Sequence, residues 1–548
     1  MFTKGRKVVG LGLIFVGLSA IAAEAQVVTV SAKPLDGWIT DARALGTKIL
    51  PEQFLQPLKD LLEKLVDPAT LKGFDRTRPI GAFGDFQPGG VPFLAICLPV
   101  TDSSSFLNSV KSFGLIVEPG PGDANGVSHV VTFPNGNKSQ LFAYPLGRWL
   151  FLTMQPTDLP AIKNFRPEIL ASIQPSNSEL TVSVRLDRIP GGAKDEFLKA
   201  FHANMAATKD RDPGEEEAAY LGRTLTQDVL SIALERLVKE GREIALDIVL
   251  SPKAGPLSAD LRIEPMPGSG LARSFRDFGT KRSRFQGLGS KTVMETRGIF
   301  GIPEVAKLPL SRLVDLIQKD AEGKAPNELE RRRISSFSEI FRPILTGENF
   351  DFSVALQGPY SSSKPNQPGG TYVVAMGLKL KDGQALDRAL REKLKKGDIT
   401  LDVAKSADGK IAIHRLAGNS ESAPDSKMFG RAVPHVAIVD DAVLIVFGEK
   451  SLRGLQEVLG QIGKPTQAQG APIMAAVSFS KVLPFSAVAR ERELGAKTAK
   501  EVFVGSDANN DRLYAAFFVE GETLHLKVSG DVLLLKFFMN LGLAIQSK

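Results

Sequence analysis

Two of the five histidines, His129 and His414, stand in equivalent strands of a pattern that the chain carries twice, and such repetition invites a metal-ligand reading. A zinc site needs three or four His, Cys or carboxylate donors converging on one point. Neither histidine has such a neighbour at ligand spacing, so each is read as a polar residue on the wet face of a strand. His202 falls in a mixed helix, and His435 and His525 fall in strands. Asp507-Ala508-Asn509-Asn510-Asp511 begins as a calcium loop begins. Arg512 then stands where that loop turns on glycine, and Phe518 where it needs a bidentate glutamate, so a polar turn is expected.

The other chemical motifs are equally incomplete. Gly287-Leu288-Gly289-Ser290-Lys291-Thr292 lacks the Gly-Lys-Thr order of a phosphate loop and follows no strand. Ser361 with Lys364, and Ser478 with Lys481, make Ser-x-x-Lys pairs without the partner motifs that serine acylation requires. Cys97, the only cysteine, sits in the apolar run Phe93–Leu98 with no histidine close in sequence, where it reads as a small buried hydrophobe. Glu215-Glu216-Glu217 opens a predicted helix, where negative charge suits the backbone dipole. Trp38 and Trp149 are too few to indicate a sugar-stacking platform. The sequence therefore nominates no catalytic, cofactor-binding or metal-binding residue. A hydrolase would have to gather distant groups such as Arg148, Asp158, His129 and Glu179, which nothing in their spacing selects.

The elements that would have to position any site are more legible. Residues 1–25 read as a signal peptide: Lys4, Arg6 and Lys7 precede the apolar run Val8–Ile21, and Ala23-Glu24-Ala25 supplies a cleavage site. The mature chain is expected to be exported, periplasmic or extracellular, with no transmembrane segment and no internal disulfide. The formal charge of +7 falls when the three leader cations are removed, and basic residues such as Arg388, Arg391 and Lys393 alternate with acidic ones. No basic stripe with interleaved aromatics is present, which argues against a nucleic-acid partner.

From about Val28 to Phe278 the order is strand, two helices, hairpin, helix, meander, helix, strand, helical insert, hairpin and helix, and the same order recurs from about Thr292 to Lys548. The hairpin strands are Ile80–Phe86 and Val91–Leu98 in the first copy, and Phe350–Leu356 and Thr371–Leu380 in the second. Asp102 and Asp382 stand before matching apolar residues and are expected to cap the next helix. Leu180, Val182 and Val184 alternate with polar residues, as Ile473, Ala475 and Val477 do, which predicts half-buried antiparallel strands. The closing helix Asp531–Ile545 is apolar almost all round, which suggests burial between sheets or against the other copy. The expected fold is α+β, a tandem duplication in which each copy is a mainly antiparallel sheet with helices packed on one face. Its divisions are 26–280 and 292–548, joined by a basic linker at 281–291.

The hairpin, Asp-capped helix and meander with Gly147-Arg148-Trp149-Leu150-Phe151 resemble a module of large uncharacterised exported bacterial proteins built from such repeats. The resemblance implies export and brings no catalytic residues; copy two departs from it where Ala442 replaces Trp149. The leading expectation is a non-enzymatic exported binding or scaffold protein whose ligand is an unspecified small molecule or protein. An envelope carrier of apolar molecules and a hydrolase with a site assembled from distant residues are the alternatives.

Overall fold

The computed structural model describes residues 27–546 except 68, 87–91, 121–125, 134–139, 159–161, 164, 169, 172–176, 252, 254, 286–287, 289–291, 303, 346–348, 361–370, 394–398, 417–427, 431–432, 463–470, 483–488 and 504–509. The expected signal peptide, the first-copy hairpin turn, most of the glycine-containing stretch at 287–291, Ser361 with Lys364, and 507–509 of the calcium-like turn lie outside the described residues.

Among the described residues twenty strands follow in chain order. The first ten are β1 (Val28–Ala32), β2 (Ile80–Phe86), β3 (Pro92–Pro99), β4 (Ile116–Pro119), β5 (His129–Thr132), β6 (Gln140–Leu146), β7 (Trp149–Thr153), β8 (Leu180–Arg185), β9 (Gly241–Val249) and β10 (Leu257–Pro265). The remainder are β11 (Thr292–Gly301), β12 (Asn349–Tyr360), β13 (Thr371–Lys379), β14 (Ile399–Lys405), β15 (Ala412–Leu416), β16 (Val433–Val439), β17 (Ala442–Gly448), β18 (Ile473–Ser478), β19 (Arg512–Glu520) and β20 (Thr523–Gly530). Helices interrupt them at fixed places, so the fold is α+β and its strand pairs are antiparallel.

The chain divides into two compact units. One comprises the described residues of Met1–Asn204, Glu235–Ala272 and Glu522–Lys548; the other comprises those of Met205–Leu234 and Arg273–Gly521. This grouping places β20 and the helix Val532–Gln546, expected to close the second copy, with the first unit. There β20 pairs with β10, and the helix packs against Leu35–Ile49. Leu534 and Phe537 of that helix are buried, whereas Leu535, Phe538 and Ile545 are exposed.

Within the first unit the strand order is β4-β5-β6-β7-β3-β2-β1-β8-β9-β10-β20. Within the second it is β14-β15-β16-β17-β13-β12-β11-β18-β19. The registers keep step as well: Val30 faces Ala82 and Val182 in one unit, and Thr296 faces Val354 and Ala475 in the other. The strand β4 was not read from the sequence; it is short, ends at Pro119 and carries little alternation.

Helices cover both faces of the outer strands, not one as expected. In β17 the alternate residues Leu444 and Val446 pack with Leu455, Val458 and Leu459 of the helix Ser451–Leu459. Val443 and Ile445 point the other way and pack with Leu386 and Leu390 of the helix Gly383–Lys393. Opposite faces of one strand thus serve two cores, as a period of two requires. The first unit repeats this arrangement. Phe83, Phe93, Phe151 and Phe165 form an aromatic core on one face, with Phe83 stacked on Phe165 at 3.7 Å between centroids. Phe106 and Leu107 of the helix Ser103–Ser109 meet Leu150 on the other.

The central strands reverse the expected polarity. On β1 and β8 the buried residues are Thr29, Ser31, Thr181 and Ser183, while Val28, Val30, Leu180, Val182 and Val184 are only half-buried. Hydrogen bonds make this burial tolerable: Ser31 donates to the Leu170 carbonyl, Thr181 to Asp247 and Ser183 to Glu243. The aliphatic row Val30–Val182–Leu246–Leu261–Leu526 runs across five neighbouring strands, and every member is half-buried. In the second unit Met294, Phe300 and Phe517 are exposed on the corresponding face, while Ser353 opposite is fully buried. Among the described residues no helix is long and apolar enough to cross a membrane.

Candidate functional site

A cleft of about 760 Å³ opens in the second unit between the helix Gly383–Lys393, the β14–β15 hairpin and the β16–β17 turn. The helix is fixed at its start. Asp382 accepts from the backbone N–H of Ala385 at 2.9 Å, and Gly383 donates its own N–H to the Asp440 carbonyl at 2.8 Å. A Cβ on Gly383 would overlap the Val439 carbonyl, so only glycine permits this approach. Leu386 and Leu390 bury one side of the helix, which turns Asp387, Arg388 and Arg391 toward the cleft.

His414 forms the buried centre of the wall. It is 1% exposed, which corrects the expectation of a wet-face residue. Its Nδ1 accepts from the Asp402 N–H at 3.0 Å, so the ring hydrogen resides on Nε2, which meets Asp387 Oδ1 at 3.2 Å. Arg391 donates to the other oxygen of Asp387 at 2.8 Å and reaches both oxygens of Asp402, at 3.2 and 3.1 Å. These bonds from Arg391 hold the Asp402 carboxyl below the usual range, and the Asp402 and Asp387 bonds hold the guanidinium above its own. Asp402 has a left-handed φ of 53° within an irregular stretch of β14, a conformation aspartate tolerates better than most side chains. Two carboxylates, an imidazole and a guanidinium thus form a closed ring.

The remaining lining charges divide into committed and uncommitted groups. Arg284 pairs with Asp441 at 3.0 Å, and Asp408 accepts from the Ser406 hydroxyl and the Lys410 N–H. Arg388, Lys410 and Asp440 line the same space; the Lys410 charge acts on Asp408, while among the described residues the charged groups of Arg388 and Asp440 have no partner. Chemically the site can bind. Both nitrogens of His414 are engaged, so this imidazole offers no unoccupied nitrogen for general-base work.

Of the residues considered for a hydrolase, His129 and Glu179 are held by different partners. His129 is half-buried with Nδ1 3.2 Å from the Ser128 hydroxyl. Arg148 is exposed on the β6–β7 turn, beside a smaller cavity of about 520 Å³ that Trp149 and Glu168 also line. Asp158 is buried. Glu179 is fully buried, lies 3.4 Å from Lys33 and accepts from the Leu250 N–H. Cys97 is fully buried, and burial pushes its thiol well above the usual range, so it is no nucleophile. The Ser478 hydroxyl donates a hydrogen bond to the buried Asp511 carboxylate. Glu215 lies in an ion pair with Arg223 at 2.8 Å, whose hydrogen bond brings its carboxyl down to about 2. Among the described residues no group of three His, Cys, Asp or Glu could hold a metal ion.

The ring around His414 was missed at the sequence level. Its signal is the i,i+4 spacing of Asp387 and Arg391, which in the sequence alone looks like an ordinary solvated helix face. Comparison with protein-family models, with curated proteins and with solved structures finds no match for this chain.

Proposed function

We propose that this is an exported, non-enzymatic binding or scaffold protein, built by tandem duplication of one α+β unit. The shared order of nine strands, with registers in step, supports the duplication. The leader pattern around Lys4–Ala25 supports export. One observation carries the functional reading: the charged cleft of the second unit contains an imidazole with both nitrogens already bonded inside the protein. A site of that size, with its one imidazole already engaged, favours holding a ligand over transforming it.

A second reading, a carrier of apolar molecules, draws on the half-buried aliphatic row Val30–Val182–Leu246–Leu261–Leu526. Soluble proteins seldom leave a contiguous apolar surface open without a use for it. One experiment addresses both readings: thermal-shift screening of the full chain against polar and lipid fractions of a bacterial envelope extract, with mass spectrometry of each fraction before and after incubation. Saturable stabilisation by a polar fraction supports the cleft, and by a lipid fraction the carrier. Absence of any shift would overturn the binding readings, and turnover of a component would overturn the non-enzymatic one.

A further inference from the structure

We propose that the cleft receives a small solute bearing an anionic oxygen group, a carboxylate or a phosphate, gripped by Arg388 from the helix wall and Lys410 from the hairpin wall. This rests on reading the cleft as a binding site. The argument begins with the lining charges. Asp387 is consumed by His414 and Arg391, Asp408 by Ser406 and the Lys410 backbone, and Asp441 by Arg284. Arg388 and one carboxylate, Asp440, remain without a partner among the described residues, and Lys410, whose charge also acts on Asp408, lines the same space. The complement to that remainder is an acid group, alone or on a molecule carrying one ammonium for Asp440.

The fold itself does not demand these charges. The helix after the capping aspartate in the first unit, Ser103–Ser109, has Leu107 and Asn108 at the steps where the second has Asp387 and Arg388. Both helices dock on their sheets; Asp387 takes part in that docking through His414, whereas Arg388 does not, so its charge is left for something else. The volume of about 760 Å³ accommodates a metabolite-sized solute. Arginine suits it because its planar fork matches two oxygens of a carboxylate or phosphate at once, and lysine adds a compact second charge.

The test uses the full chain at constant ionic strength, titrated separately with sodium phosphate, sodium acetate and sodium chloride, and read by calorimetry and melting temperature. Saturable binding of phosphate or acetate, absent with chloride, is expected, and the responding anion identifies the acid group. The Arg388→Ala/Lys410→Ala double variant is expected to weaken that binding by about tenfold per cation removed. Arg236→Ala, an exposed arginine outside the cleft, should leave it unchanged. Equal responses to all three salts, or undiminished binding in the double variant, would overturn the assignment. If a polar envelope fraction still stabilises wild type and double variant alike, the cleft or another surface binds something, and the anion assignment alone falls. If no fraction acts, both fall.

Discussion

In the first unit Phe151 of β7 faces Cys97 of β3; in the second, at the same step of the pairing scheme, Leu444 of β17 faces Gly377 of β13. The neighbouring positions differ in the same direction, with Phe83 and Phe93 against Ala355 and Val373. The second unit recovers the missing bulk from Phe285, which is fully buried and lies so close over Gly377 that a Cβ there would come within 2.5 Å of its ring. On the opposite face the contrast is one of charge. Leu107 and Asp387 stand at equal distances from the capping aspartates, and His129 and His414 at the same step of the meander. One unit completes this face with a dry cluster around Phe106 and Leu150, the other with the ring of Asp387, His414, Asp402 and Arg391. The backbone scheme fixes where side chains meet and leaves their chemistry open. Charge stands on this face in the second unit, beside its cleft, and not in the first.

Breaking the aromatic core should give the largest effect. Phe151 is fully buried among Phe83 and Phe165, so Phe151→Ala is expected to cost about 3–5 kcal/mol through lost transfer energy and a residual cavity. Leu444→Ala should cost less, about 2–3 kcal/mol, since Phe285 and the adjoining helix can settle inward. Urea unfolding monitored by circular dichroism measures both. Equal losses would mean that the two cores pack alike and that the contrast is superficial.

Importing the first unit's chemistry into the second tests the ring. Asp387→Leu leaves the buried Nε2–H of His414 without its acceptor and releases one of Arg391's two carboxylates, for an expected loss of about 1–3 kcal/mol. Asp387→Asn retains an oxygen for Nε2–H and should recover much of that loss. If leucine were tolerated as well as asparagine, the ring would be a surface ion pair of little worth.

Local signals were the ones that survived from sequence to structure. Asp102 and Asp382 could be read as caps because a cap needs only the next few residues, and the hairpins announced themselves by alternation between turns. Alternation on β1 and β8 showed that one face differs from the other, but not which face helices would cover; that depends on connections as remote as Ser31 to Leu170. The hydroxyls of Thr181 and Ser183 went inside because Asp247 and Glu243 on β9 were waiting, partners more than fifty residues away. His414 was misplaced for the same reason. Its burial is decided by Asp387 on a helix and by a backbone N–H on another strand, neither of which forms a recognisable motif with it.

The capping aspartates offer the smallest and most symmetrical comparison, because here the two units should behave alike. Asp382→Ala removes the acceptor for the Ala385 N–H and is expected to cost about 1 kcal/mol. Asp102 accepts from the Ser104 N–H at 3.0 Å and the Ser105 hydroxyl at 2.6 Å, and the Ser105 bond leads in holding its carboxyl below the usual range. A carboxyl lowered on folding is deprotonated in the folded chain while the unfolded chain still binds a proton. Its contribution is therefore complete above the unfolded value of about 4 and is lost as pH falls through the lowered folded value. Wild type and Asp102→Ala should accordingly differ in melting temperature at pH 7 and converge as the pH is taken below about 4. A difference that persisted undiminished in acid would show that the hydroxyl and N–H bonds to Asp102 act without its charge. Capping in the first unit would then be a matter of shape, unlike the charged contacts that distinguish the second.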